Sequence, residues 1–117
     1  MSKRNPDVAL NQILTHAREA VDICHGKTRA DLDADRLLNL ALSRLLEIIG
    51  EAANRVPVSV QEKFSDLPWL PMIGARNRLI HGYDSVDFDI LWKIVAVDLP
   101  VVISQLEGIL RQKSDDF

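Results

Sequence analysis

The segment of residues 31–55 constrains the fold most, because its apolar residues recur at helical spacing and almost surround the predicted helix. These apolar residues are Leu37, Leu38, Leu40, Ala41, Leu42, Leu45, Leu46, Ile48, Ile49, Ala52 and Ala53. Only a narrow polar stripe remains, formed by Arg44, Glu47, Glu51 and Asn54. A helix with so wide an apolar surface is buried on more than one side. In a chain of 117 residues a partner copy covers the second side more easily than the chain itself, which predicts a homodimer.

Gly50 lies in the middle of this predicted helix. Glycine inside a helix costs about 1 kcal/mol relative to alanine. A close approach of a second helix at this position would explain the cost.

The rest of the chain also reads as helical, without alternating apolar and polar runs and without a hairpin signal. Asn5 is the expected N-cap of a first helix that begins at Pro6 and ends near Cys24, with Gly26 after it. Residues 26–30 form a predicted loop, and Ser59 caps a short helix over residues 59–65.

A third long helix is predicted to begin near Pro68 or Pro71 and to end at His81, with Gly82 as its C-terminal cap. A last helical region spans residues 87–113, and Pro100 inside it predicts a kink or a split. The predicted fold class is therefore all-α, an antiparallel bundle resembling a four-helix bundle with an extra short helix.

Length and composition predict one domain over residues 1–117, with flexible termini at 1–4 and 114–117. The hydrophobic fraction of 47% excludes a disordered chain, and the single cysteine excludes a disulfide framework and a cysteine-rich zinc site. We predict no cofactor, no metal site and no membrane span, and a cytoplasmic location. The net charge of −3 argues against a general nucleic-acid binder, so any RNA contact must come from a few placed arginines.

Residues 74–83 concentrate the side chains that can perform chemistry, namely Arg76, Asn77, Arg78, His81 and Tyr83. On a helix, Asn77 and His81 would share one face because they are four residues apart. Cleavage of RNA without a metal needs a base for the 2′-hydroxyl, an acid for the leaving oxygen and a cation for the transition state. Histidine suits the proton transfers and arginine suits the phosphate. Each chain has one such histidine, and a two-fold dimer would supply two.

Each of these residues also has a plainer interpretation. His81 could only stabilise a helix C-terminus, Arg76 could pair with Glu47 or Glu51, and Tyr83 could only pack its ring. Arg78 fits a solvated or groove-edge position better than a catalytic one. The stripe of Glu47, Glu51 and Asn54 could support a cleft or could simply be wetted by solvent.

The spacing Arg76-x4-His81-x-Tyr83 resembles the motif of the HEPN superfamily, and specifically its HepT-like ribonuclease toxins. The run 45–54 is similar to the second-helix block of that branch, and Trp69, Leu91-Trp92 and Leu99-Pro100 fit it as well. The resemblance covers roughly residues 5–112.

This resemblance implies an all-α homodimer whose Arg76, His81 and Asn77 line a cleft between the subunits and cleave RNA without metal. It also implies a type VII-like toxin–antitoxin pair. The partner is a minimal nucleotidyltransferase antitoxin that transfers AMP to Tyr83. AMP there would add bulk and negative charge beside Arg76 and His81 and repel an RNA phosphate.

Two other functions stay open at this point. The chain could be a non-catalytic HEPN subunit that binds a nucleotide or a partner for a nucleotidyltransferase. It could also be a purely structural dimerisation bundle, which would tolerate the loss of Arg76 and His81.

Overall fold

The computed structural model describes residues 5–75, 80–81 and 85–115, and of residues 80, 81, 85 and 113–115 it describes the backbone only. Helix α1 spans Pro6–Ile23, and the Asn5 side chain accepts a hydrogen bond from the backbone N–H of Asp7. Gly26 follows this helix with a φ of 77°, a left-handed conformation that glycine adopts without strain. The predicted first helix and both of its end signals are confirmed.

The predicted helix over residues 31–55 is wrong at its start, because two helices occupy the region. Helix α2 spans Arg29–Ala34 and helix α3 spans Arg36–Arg55. Asp35 separates them in an extended conformation, and its carboxylate accepts a hydrogen bond from the backbone N–H of Leu38. Aspartate is a strong N-cap, and this preference outweighs the continuation of the helix. The predicted loop is correspondingly shorter than 26–30.

Helix α4 spans Val58–Lys63 and follows Pro57, so Ser59 lies inside the helix and is not its cap. Helix α5 spans Trp69–Ile73. The buried indole of Trp69 donates a hydrogen bond of 3.0 Å to the carbonyl of Phe64, which ties the start of α5 to the end of α4.

The predicted third helix does not reach His81. Strand β1, Ile80–His81, pairs antiparallel with strand β2, Ser85–Val86, with Ile80 opposite Val86 and His81 opposite Ser85. Branched residues at the outer pair favour strand over helix, and Gly82 and Asp84 between the strands are residues typical of turns. The sequence reading missed this hairpin. The ladder is only two residues long, and the all-α fold class is confirmed.

Residues 88–115 are helical but change their pitch. Helix α6 spans Phe88–Lys93, a π-helical segment spans Ile94–Asp98, and helix α7 spans Leu99–Asp115. The N–H of Leu99 donates to the carbonyl of Ile94, five residues back. Pro100 has no N–H to offer and its ring crowds the carbonyl four residues earlier, which accounts for the wider turn just before it. The predicted disruption is thus a π-turn.

The core lies where α1 packs on α3 and α7, with α6 and the π-helical segment closing one end. Its largest fully buried side chains are Leu10, Ile13, Leu32, Leu42, Leu91, Leu106, Val56, Val95 and Val102. The wide apolar surface of α3 is not fully covered, since Leu37 is 79% exposed and Leu40 is 48% exposed. Within residues 5–75 and 85–115, no helix is long and apolar enough to cross a membrane.

Candidate functional site

The motif residues lie mostly outside the described part of the chain. Arg76, Asn77, Arg78 and Tyr83 are not described, and of His81 only the backbone is known. That backbone is a strand, so the expectation that Asn77 and His81 share one helical face loses its basis. The structure does define what lies immediately before the motif and immediately after it.

Before the motif, α5 lies directly against α3. Met72 and Ala75 are buried, and Gly50 of α3 faces the end of α5. A Cβ at position 50 would lie 2.9 Å from the carbonyl oxygen of Met72 and 3.6 Å from that of Ile73. The expectation that Gly50 marks a close approach of two helices is confirmed. We call this the upstream contact.

After the motif, α6 is held on α2 by charged and aromatic groups. Nε of Arg29 donates to Oδ1 of Asp89 at 2.7 Å, and its Nη1 lies 3.0 Å from Oδ2 of Asp33. The guanidinium also lies 5.8 Å from the ring centre of Phe88. The hydrogen bond with Asp89 raises the pKa of Arg29 above its already high usual value, so this cation stays charged. We call this the downstream contact.

Asp87 fixes the start of α6 between strand β2 and the downstream contact. Its Oδ1 accepts hydrogen bonds from the backbone N–H groups of Asp89 and Ile90, at 3.0 and 3.1 Å. The chain therefore leaves the hairpin through a capped helix start.

The polar stripe of α3 runs beside the upstream contact. At about 100° per residue, Glu47 and Asn54 lie within about 60° of Gly50 around the helix axis. Nη1 of Arg44 lies 2.5 Å from Oε1 of Glu47 and 3.7 Å from Oε1 of Glu51. The two carboxylates thus have Arg44 as a partner.

An apolar groove of about 650 Å³ opens on the other side of α5, between α5, the π-helical segment and α7. Leu46 and Ile49 are among its lining residues, and Ala75 places it next to the motif. Val97 and Val101 line it as well and are each 57% exposed. At its rim, Nζ of Lys93 lies 3.5 Å from Oδ1 of Asp98.

Two other titratable side chains, His16 and Cys24, have local explanations. Nδ1 of His16 is hydrogen-bonded to the carbonyl of Gln12 at 2.7 Å. Burial raises the pKa of the Cys24 thiol, which keeps it protonated near neutral pH. Within the described residues, no group of three or more His, Cys, Asp or Glu side chains could hold a metal ion.

Sequence reasoning missed the groups that hold the downstream contact. The sequence predicts a loop at Arg29 and only the start of a helix at Phe88 and Asp89. Arg29 and Asp89 are 60 residues apart in sequence, and helical spacing carries no information about such a pairing. The capping residue Thr28, whose N–H donates to Asp31, was the available signal that α2 begins early enough to carry Arg29.

Comparison with known proteins adds to this geometry. Residues 13–109 match the model of the family described as "Ribonuclease HepT-like". "Putative RNase MJ1380" of Methanocaldococcus jannaschii is 36% identical over 107 residues, which cover 92% of this chain and 98% of that protein. "Probable ribonuclease HepT" of Thermococcus cleftensis is 36% identical over 97 residues, which cover 80% of this chain and 88% of that protein. No solved structure gives a significant match.

Proposed function

Because the chain belongs to the HepT-like ribonuclease family of the HEPN superfamily, we propose that it is a metal-independent endoribonuclease that acts as a homodimer. The observation that carries this proposal is the family match over residues 13–109, which includes every residue of the motif. The curated relatives named as ribonucleases align over most of their own length, so the similarity is not confined to a short motif.

In the proposed reaction, His81 moves the protons and Arg76 binds the phosphate and the charge of the transition state, while Asn77 orients the reacting groups. The backbone pairing of His81 with Ser85 supports this role, because a ladder fixes the backbone from which the imidazole projects. Two subunits would supply one histidine as base and the other as acid.

The proposed homodimer is supported by apolar surface that the single chain leaves uncovered. Leu37 and Leu40 on α3 are exposed, and they continue into the polar stripe of Arg44, Glu47 and Glu51. A partner on this side of α3 would cover both leucines and would bring the polar stripe to the subunit boundary. Glu47, Glu51, Asn54 and Arg78 are proposed to support the cleft there.

We also propose a biological setting, the toxin of a type VII-like toxin–antitoxin pair. A minimal nucleotidyltransferase antitoxin would neutralise the enzyme by transferring AMP to Tyr83. Tyr83 is one of only three residues that link the strands, two positions from His81, so added phosphates would lie close to the reacting groups.

The experiment is incubation of total RNA with the purified chain and with His81→Ala, in excess EDTA, followed by mapping of the fragment ends. We expect cleavage by the parent alone, with cyclic-phosphate or 3′-phosphate ends. Loss of a proton-transfer group should lower the rate by about two to four orders of magnitude. Full activity of His81→Ala would contradict the proposed mechanism.

Intact-mass measurement of the same sample, with the modified peptide identified by fragmentation, determines whether Tyr83 carries AMP. If neither protein cleaves and Tyr83 is unmodified, the chain is better explained as a non-catalytic binding subunit. If Tyr83 is modified, removal of the AMP should restore cleavage.

A further inference from the structure

We propose that Gly50 is a positioning residue for this reaction, because the absence of a side chain there lets the end of α5 lie on α3 and so places the motif. The inference rests on the proposed ribonuclease function. It assigns a role in catalysis to a residue that contacts neither RNA nor any reacting atom.

The contact at Gly50 leaves no room for adjustment. The atom that a Cβ would meet at 2.9 Å is a backbone carbonyl oxygen, and the next is the neighbouring carbonyl. Backbone cannot rotate aside as the end of a flexible side chain can. Any side chain at position 50 must therefore move α5 away from α3 or shift the two helices along each other.

A movement of α5 would also displace the motif, because the motif follows α5 directly in the chain. Gly74 closes α5 by donating its N–H to the carbonyl of Leu70 at 2.9 Å, and buried Ala75 follows. Arg76 is the next residue, only four positions after Met72. Little chain is available between the contact and the arginine to absorb a shift. A displacement of about 1 Å in a reacting group can lower a rate about 100-fold.

A movement of α5 away from Gly50 would also change the distance between α5 and the polar stripe of α3. By helical geometry Glu47 and Asn54 lie within about 60° of Gly50 around α3, so the stripe begins beside the residue that α5 contacts. Gly50 thereby sets the distance between the proposed catalytic segment and the carboxylates proposed to support it.

Gly108 provides a matched control on the same molecule. It lies inside α7, and a Cβ there would have nothing within 4 Å. Alanine favours helix over glycine at both positions. Gly50→Ala and Gly108→Ala therefore share the gain in helix propensity and differ in whether α5 must move.

The experiment compares the parent, Gly50→Ala and Gly108→Ala for cleavage of one short RNA, with kcat and KM measured separately at a temperature where circular dichroism shows all three folded. Size-exclusion chromatography checks that they have the same oligomeric state. We expect kcat of Gly50→Ala to fall about 10- to 100-fold with KM changed less than about threefold. Gly108→Ala should keep the parental kcat. A purely structural role would lower the unfolding temperature without this selective loss of kcat.

Parental kcat in Gly50→Ala, with the parent cleaving as proposed, would overturn the inference and leave the ribonuclease intact. If the parent itself does not cleave RNA, the proposed function has failed, and hydrogen exchange then tests the placement alone. Exchange in peptides covering Ile80–Val86 should be at least about tenfold faster in Gly50→Ala than in Gly108→Ala. Equal exchange in the two variants would overturn the inference in that case as well.

Discussion

The upstream and downstream contacts hold the helices before and after the motif by different forces. Upstream, Gly50 allows backbone to meet backbone among buried residues. Downstream, Arg29 meets Asp89 and Phe88 at the surface, where the Asp89 side chain is 84% exposed. Steric contact acts over a few tenths of an ångström and does not respond to salt, whereas exposed ion pairs are screened by it. The chain before the motif is therefore held by shape, and the chain after it by charge.

This difference indicates that the downstream contact tolerates substitution better than the upstream contact. Substitution upstream alters packing that nothing nearby can replace, because Met72 and Trp69 are enclosed. Substitution downstream alters charged groups that water and ions can replace in part. The expected effects accordingly decrease from the upstream side to the downstream side.

The largest effect is expected from Met72→Ala. Truncation of this buried side chain should lower the free energy of unfolding by roughly 2–5 kcal/mol. Urea denaturation measures the change. Leu70→Ala on the same short helix is the control, since Leu70 is 82% exposed and its loss should change stability by less than about 0.5 kcal/mol. Equal losses in the two variants would show that the upstream contact is not specifically packed.

An intermediate effect is expected from Asp87→Ala at the start of α6. Loss of the cap should cost about 1 kcal/mol, and Asp87→Asn should recover most of it because asparagine also caps well. Thermal unfolding of the three proteins measures both changes. A defect of Asp87→Asn as large as that of Asp87→Ala would point to the charge of Asp87 as the important property and not to its capping hydrogen bonds.

The smallest effect is expected from Arg29→Gln. The loss of stability should be near the limit of detection, and it should be larger at low salt than at about 1 M salt, where the Debye length is about 3 Å. Denaturation at the two salt concentrations measures this, with exposed Arg36→Gln as the control for a change in net charge. A loss that is independent of salt would mean that stacking on Phe88 outweighs the ion pairs.

The sequence allowed prediction of features whose causes lie within a few residues. Asn5 and Pro6 set the start of α1, and Gly26 marks its end. Gly50 was also interpretable, because an unfavourable residue inside a strongly helical segment calls for a packing reason, and α5 supplies it.

Features that depend on competition between signals were not predictable in the same way. Asp35 could equally be a helix residue or a cap, and it caps. Residues 80–81 follow helix-compatible sequence yet pair with 85–86, since the pairing depends on which residues the turn brings opposite each other. The same holds for the candidate site. The motif spacing predicts which residues belong to it. The contacts of Arg29 with Asp89 and of Gly50 with Met72 join distant parts of the sequence and are seen only in the folded chain.

The π-helical segment before Pro100 sets the rotational phase between α6 and α7. A π-turn accommodates one residue more than an α-turn, so removal of one residue from Ile94–Asp98, together with replacement of Pro100, would let a regular α-helix run through. That change would turn α6 by about 100° and advance it by about 1.5 Å relative to α7. Leu91, fully buried at present, would rotate away from the core, and Phe88 would leave the side that faces Arg29. The single extra residue in this turn is thus what lets one continuous helical region place Leu91 in the core and Phe88 beside Arg29.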